Sequence, residues 1–377
     1  MTPQDHGWLE RALDLARSAY GLASPNPAVG AIVVDATGTA VGEGAHAYEG
    51  RKHAEVLALE QAGAAARGAT LYVSLEPCSI HRRTPPCVDA ILAAGIARVV
   101  AASRDRNPDV DGSGFALLRQ SGIEVEEAAG ELAASAERLN EAFFYYARTG
   151  RPLVTLKTAL TLDGKIAAPD DNTGWITSDK ARAHVQQVRH RHDAIMTGIG
   201  TVHADDCLLT DRTGLPRRRA LLRVIADSLL RIPLNSRLVE SVSGDLVIAT
   251  TSAAGLEKRK PLLERDVTVQ DFDSPSGRVD LHALLDWLGE RDVTSLMIEG
   301  GAKLNWAVLE AGIVNKVLLY YAPKILGGLE SLPMVGGAGR RSRSGAIRLE
   351  NLRTIPVAVD EFAVEADVIN DARVPPS

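Results

Sequence analysis

Apolar residues recur along this chain at two different spacings, and the spacings alternate. Residues 8–20 carry them at helical intervals, whereas residues 28–34 form the continuous apolar run of a buried strand. A turn at 35–39 and a short strand to Gly42 follow, then an Ala-, Leu- and Glu-rich helix over 53–66. Residues 70–75 read as a strand, 88–94 as an apolar helix closed by Gly95, and 98–102 as a further buried strand. A helix over 131–147 ends this stretch, because Gly150 and Pro152 just beyond it form a stop signal. After that stop the alternation resumes. Strands are expected at 153–157, 194–197, 221–226, 246–249, 295–298 and 316–321, with helices at 179–192, 279–290 and 302–310. Such alternation predicts layered α/β architecture, divided here into domains 1–149 and 150–377.

Composition supports two domains, since 377 residues are many for one hydrophobic core. The formal net charge of −6 argues against a nucleic-acid-binding surface spread over the protein. Arg217-Arg218-Arg219 and Arg340-Arg341 are short basic runs in loop-like contexts and read as solvated. The first residues lack the basic and apolar segments of a signal peptide, and no apolar stretch reaches membrane-spanning length. With three cysteines in all, a reducing cytoplasm is the expected setting.

Two of those cysteines fall in one motif: His53-Ala54-Glu55, then Pro77-Cys78, then Cys87. An imidazole and two thiolates are good zinc ligands, and three protein ligands leave a fourth position open for water. Zinc brings the pKa of such a water toward neutrality, and Glu55, which need not bind metal, can shuttle protons. The pattern matches the H-x-E…P-C-x-x-C signature of zinc deaminases except in the wider cysteine spacing. His53 and Glu55, two residues apart, share a site most easily in the first turn of their helix. A purely structural zinc site would want four protein ligands, and no obvious fourth lies nearby in sequence.

In the second half, Ile298-Glu299-Gly300-Gly301-Ala302 is a strand, a glycine turn and a helix start, where backbone N–H groups can meet a phosphate. By itself a Gly-Gly pair more often only closes a turn. Gly198-Ile199-Gly200-Thr201-Val202-His203 lacks the last glycine of a dinucleotide fingerprint, so a standard Rossmann site is not expected.

Nine strings in order resemble one family, the bifunctional riboflavin-biosynthesis proteins that fuse a pyrimidine deaminase to a reductase. They include Pro25-Asn26-Pro27-Ala28-Val29-Gly30, Gly42-Glu43-Gly44-Ala45-His46, His53-Ala54-Glu55 and Leu75-Glu76-Pro77-Cys78 through Thr84-Pro85-Pro86-Cys87. Further on come Lys157 with Thr161-Leu162-Asp163-Gly164-Lys165, Trp175-Ile176-Thr177-Ser178, Thr201-Val202-His203-Ala204-Asp205-Asp206, Asp227-Ser228 and Glu299-Gly300-Gly301-Ala302. The wide cysteine spacing is this family's own.

The resemblance implies a cytidine-deaminase-like three-layer α/β/α domain followed by a dihydrofolate-reductase-like α/β domain. It implies zinc on His53, Cys78 and Cys87, Glu55 as the catalytic group, and Asn26 and His46 lining the deaminase pocket. For the reductase it implies NADPH at Leu160 (through its backbone), Trp175, Thr201, Asp205, Ser228, Gly301, Ala302, Lys303, Leu304, Asn305, Trp306 and Ala307. Substrate positions would be Thr173, Arg189, Leu209, Arg212 and Glu299. Two arginines suit a sugar phosphate and a carboxylate suits ribose hydroxyls, although Arg189 sits in a basic helix end that reads equally as solvated. The implied substrate is a diaminopyrimidinone bearing a phosphoribosylamino group, with no nucleic-acid or membrane partner, and a homo-oligomer is expected.

The chain departs from the family pattern at Ser79-Ile80-His81-Arg82, where Ser-His-x-Gly is usual, and at Cys207, where proline is usual. Leu160 stands where some relatives carry a smaller residue. Arg82 or Arg83 is then the expected substitute in phosphate recognition. A deaminase of nucleic-acid bases would want a basic stripe with aromatics, which make up only 4% here, and would leave the second domain without a task. An inert zinc scaffold would have no use for Glu55.

Overall fold

The computed structural model describes residues 1–50, 52–81, 84–170 and 174–369. They form two compact units, one of Met1–Gly150 with Leu215–Arg219, the other of Arg151–Gly214 with the remaining chain from Ala220.

Unit 1 runs α1 (Pro3–Ser18), α2 (Tyr20–Ala23), β1 (Gly30–Val34), β2 (Ala40–Ala45), α3 (Ala54–Ala62), β3 (Thr70–Val73), α4 (Cys87–Ala94), β4 (Arg98–Ala101), α5 (Ser113–Gln120), β5 (Glu124–Glu127), α6 (Gly130–Leu139) and α7 (Glu141–Thr149). Its sheet has the order β2-β1-β3-β4-β5. β1 is antiparallel to both β2 and β3, and β3, β4 and β5 run parallel. Alternate strand residues feed two cores. Ile32, Val34, Tyr72 and Val100 pack with Leu9, Leu13 and Leu139 from α1 and α6. Ala31, Val33, Leu71 and Val99 pack with Ala58, Ile91 and Phe115 from α3, α4 and α5. Helices thus cover both faces, giving the three-layer arrangement.

The helix expected over 131–147 is two helices, interrupted at Asn140. The Asn140 side chain is buried and bonds both backbone groups of Ala28, accepting from its N–H at 2.8 Å and donating to its carbonyl at 3.0 Å. A side chain that satisfies a distant backbone in this way outweighs the uninterrupted helical pattern of its neighbours.

Unit 2 runs β6 (Leu153–Thr161), β7 (Lys165–Ala167), α8 (Asp179–His190), β8 (Ala194–Gly198), α9 (Ile199–Asp205), β9 (Leu222–Ala226), α10 (Arg237–Glu240), β10 (Leu246–Thr250), α11 (Leu256–Leu263), β11 (Thr268–Asp271), α12 (Leu281–Gly289), β12 (Ser295–Ile298), α13 (Ala302–Glu310), β13 (Lys316–Ala322), β14 (Leu332–Pro333), β15 (Leu349–Ala358) and β16 (Glu361–Val368). Nine strands form one sheet in the order β11-β10-β9-β8-β12-β6-β13-β16-β15. The parallel strands run from β11 to β13, and the hairpin β15–β16 closes one edge antiparallel. β12 enters between β8 and β6, two strands laid down much earlier in the chain. The C-terminal ends of β8, β12 and β6 therefore flank a crossover point, the place where open α/β sheets bind ligands.

Candidate functional site

Helix α3 lies directly on β2 because Gly42 and Gly44 have no side chains to hold it off. A Cβ on Gly44 would collide with the Ala54 carbonyl, and one on Gly42 with that of Ala58. This contact seats the start of α3, where His53 is the N-cap residue and Glu55 stands in the first turn. The two share a site from that turn, as the spacing demands. Cys87 is the first residue of α4, and Cys78 lies in the loop beyond β3. Glu76 anchors that loop. Its buried carboxylate accepts backbone N–H bonds from Asp105, Gly112, Gly114 and Phe115 at 2.9–3.3 Å.

The ligand atoms of His53, Cys78 and Cys87 all lie within 4.8 Å of one another. His53 Nδ1 is 3.0 Å from Cys87 Sγ and 3.4 Å from Cys78 Sγ, while Thr84 Oγ1 sits 3.2 Å from the opposite ring nitrogen. The Thr84 contact leaves Nδ1 to face the sulfurs. The hydrogen bond from Cys87, together with His53 beside it, holds Cys78 well below the usual thiol range, and the same bond pushes Cys87 up. Glu55, 3% exposed, is raised by burial, only partly offset by the His53 charge. Two sulfurs, a carboxyl and an imidazole thus meet in one largely enclosed space. A divalent cation balances such a donor set, and one nitrogen with two sulfurs suits zinc.

Asn26 and His46 join the same pocket. His46 is buried, with its ring 5.3 Å from that of His53. Burial lowers its pKa, and the neutral ring donates from Nδ1 to the Lys52 carbonyl at 2.9 Å. Its Nε2 then accepts from the Asn26 amide at 3.0 Å.

In unit 2, part of the expected set follows the C-terminal ends of β8, β9 and β12. Thr201 lies in the first turn of α9, Ser228 follows β9, and Glu299, Gly300 and Gly301 join β12 to α13. A Cβ on Gly301 would meet nothing closer than Thr201 Oγ1 at 3.8 Å, an ordinary contact distance, so the start of α13 lies beside Thr201. Trp175 is 67% exposed, with the Arg182 guanidinium 4.8 Å over its ring. Asp205 is exposed at the end of α9, and Arg212 is exposed with its backbone N–H bound to Gln186. Leu209 is buried and holds a positive φ of 54°, unusual for a leucine and a mark of a loop fixed by its surroundings. Leu160 is buried in β6, leaving its backbone alone for a ligand.

The segment 301–307 is mixed. Lys303 is exposed and Ala307 half-buried, whereas Ala302, Asn305 and Trp306 are buried. The Asn305 amide donates to the Met334 carbonyl at 2.8 Å, Leu304 packs beside Gly198 and Gly300, and Trp306 packs against Gly337. Thr173, Arg82 and Arg83 lie outside the described residues.

Arg189 is not solvated. Its Nε donates to Glu299 at 2.7 Å and its Nη1 to the Thr210 carbonyl at 3.0 Å. Lys157 Nζ reaches the other Glu299 oxygen at 3.2 Å. Burial raises the Glu299 carboxyl, but Lys157 and Arg189 outweigh it and bring the pKa to about 2. The motif that contains Lys157 assigns it no role by itself. A lysine inside an apolar strand was the available signal, since an ammonium is rarely buried without a partner.

Comparison with known proteins matches both units. The family model for the cytidine and deoxycytidylate deaminase zinc-binding region covers residues 2–103, and that for the RibD C-terminal domain covers residues 152–359. The riboflavin biosynthesis protein RibD of Actinobacillus pleuropneumoniae is 42% identical over 98% of this chain and 96% of its own length. That of Escherichia coli K12 is 41% identical over 88% and 92%. Among solved structures, Acinetobacter baumannii RibD superposes with a TM-score of 0.82 at 34% identity, covering 97% of this chain and 99% of that one. A Thermotoga maritima diaminohydroxyphosphoribosylaminopyrimidine deaminase/5-amino-6-(5-phosphoribosylamino)uracil reductase gives 0.81, also at 34% identity and with the same coverage. With a zinc-type deaminase pocket in one unit and a crossover cleft in the other, the chain belongs to the RibD family of bifunctional deaminase–reductases of riboflavin biosynthesis.

Proposed function

We propose that unit 1 deaminates 2,5-diamino-6-(5-phosphoribosylamino)pyrimidin-4-one and that unit 2 then reduces the ribosyl group to a ribityl chain. The observation that carries this reading is the buried Glu55 carboxyl beside the His53, Cys78 and Cys87 ligand atoms. His53, Cys78 and Cys87 would hold zinc, which when bound would supply a Lewis acid for activating water. Glu55 takes the proton from that water and delivers it to the departing amine, so that oxygen enters and ammonia leaves. Its raised pKa suits a group that must both hold and release a proton. With Nδ2 committed to His46, Asn26 offers Oδ1 as an acceptor to a ring N–H or exocyclic amine.

In unit 2, NADPH when bound would supply a hydride to the sugar C1 as the bond from C1 to the ring oxygen breaks, leaving NADP+. Trp175 offers an exposed ring face for stacking, and Thr201 with the Gly301 backbone lines a groove open to phosphate. Lys157, held by Glu299, carries a proton to the sugar oxygen released as the ring opens, and Arg189 keeps that carboxylate charged. The thiol ligands suit a cytoplasmic setting. Incubating the purified protein with the pyrimidine, with and without NADPH, tests both halves. Ammonia release should need no NADPH, and NADPH oxidation should follow only after deamination.

A further inference from the structure

Arg218 belongs to unit 1, although it lies far downstream of Gly150 in sequence. It is the middle residue of a basic run that reads as solvated, yet its side chain is only 21% exposed. Its backbone N–H donates to the Gly21 carbonyl at 2.7 Å. Nη1 donates to the Ser24 carbonyl at 3.0 Å, and Nε to Glu49 Oε1 at 2.8 Å. The guanidinium carbon sits 3.8 Å over the Tyr48 ring.

Those partners fall on two loops with a common purpose. Ser24 stands two residues before Asn26, and Tyr48 and Glu49 follow His46. Asn26 and His46 are the pair hydrogen-bonded to each other in the deaminase pocket. One side chain therefore ties together the two loops that carry them. A planar fork that donates to a carbonyl and a carboxylate while stacking on a ring is something arginine does and lysine does not.

We propose that Arg218 is a positioning residue for deamination, holding the Asn26 and His46 loops in register so that the pocket grips the pyrimidine. The proposal rests on the deaminase reading of unit 1. Arg218 touches neither the zinc ligands nor Glu55, so its role is substrate placement and not metal retention or proton transfer.

The test uses the full-length chain carrying Arg218→Ala or Arg218→Lys, alongside wild type. Deamination is followed by ammonia release, zinc by metal analysis, and reduction with the already deaminated intermediate as substrate. Misplacement of binding groups by around an ångström costs on the order of 100-fold, so both variants should lose roughly 10- to 100-fold in deaminase kcat/KM. The loss should fall mainly on KM, with zinc content, the pH profile of kcat and reduction retained. Unchanged deaminase kcat/KM in a folded variant overturns the proposal, as does full rescue by lysine. Loss of zinc together with activity also overturns it, because Arg218 would then hold the fold and not the substrate loops. If neither variant folds, Tyr48→Leu decides, since it removes the stacking face and keeps the backbone anchor. A raised deaminase KM there supports the proposal and an unchanged one sinks it. A wild-type protein that releases no ammonia at all would instead defeat the deaminase reading itself.

Discussion

Gly44 and Ala54 meet backbone to backbone, the carbonyl of Ala54 occupying the space where a β-carbon on Gly44 would sit. The first turn of α3, with His53 and Glu55, is therefore seated by the absence of a side chain on β2. Gly44→Ala should push that turn outward, at a cost of about 1–3 kcal/mol as in other overpacked sites. Zinc content and ammonia release should fall while reduction of deaminated substrate persists. Gly50→Ala, where a Cβ meets nothing within 4 Å, is the matched control and should change neither activity. Full zinc and full deamination in Gly44→Ala would show that α3 shifts without consequence.

Glu55 is isosterically replaceable. Glu55→Gln keeps the shape of the pocket but cannot carry a proton, so zinc content and thermal stability should stay near wild type. Deaminase kcat should drop by about 10²–10⁴-fold, the usual contribution of a positioned acid–base group. Metal analysis and ammonia release measured on the same preparation check this. A variant with near-normal turnover would remove Glu55 from the mechanism.

The parts of this protein that were legible in its sequence are those set by local pattern. The strand expected at 295–298 and the helix at 302–310 occur with those bounds, because the apolar Leu296-Met297-Ile298 run and a glycine-opened helix carry their own signals. The His53, Cys78 and Cys87 cluster was legible from its motif, and the structure brings its ligand atoms within 4.8 Å of one another. What stayed hidden depends on partners far away in the chain. The break at Asn140 exists for the backbone of Ala28. The burial of Arg189 exists for Glu299, and the role of Arg218 for Ser24 and Glu49. Strand β15 carries little sequence signal because its residues are mostly exposed and Pro356 interrupts its apolar end.

Asp5 at the start of α1 is buried and accepts from Arg98 Nη1 and from the Tyr72 hydroxyl, both at 2.8 Å. The Arg98 hydrogen bond holds its carboxyl well below the ordinary aspartate value. A carboxyl with a depressed folded-state pKa adds stability that is present above the unfolded value of about 3.9 and lost as pH falls below it. Unit 1 should therefore weaken on acidification from about pH 4 downward. Asp5→Asn should lose roughly 1.5–3 kcal/mol at neutral pH, the range for hydrogen bonds to a charged group. Its melting temperature should also fall less steeply than wild type below pH 4. An acid limb of the same slope in both proteins would assign the acid sensitivity to other carboxyls.

Gly301 separates two readings of the glycine turn before α13. Its φ of −81° is open to any residue, so the glycine is not there to permit a left-handed backbone. Nor is it needed for packing, since a Cβ would make only ordinary van der Waals contact with Thr201 Oγ1, at 3.8 Å. Gly300 is the tighter position, where a Cβ would fall 2.9 Å from Asn305 Oδ1 and 3.0 Å from a Leu304 methyl. Gly301→Val should therefore fold, with circular dichroism and melting temperature close to wild type, while placing two methyl groups in the groove. If the phosphates of NADPH approach the N–H groups at the start of α13, the variant should bind NADPH more weakly and reduce more slowly. Ammonia release should be unaffected, because the substitution lies in unit 2. Gly300→Val supplies the contrast and should destabilise unit 2 directly. A folded Gly301→Val protein with wild-type NADPH affinity would move the cofactor to a different groove of the sheet edge.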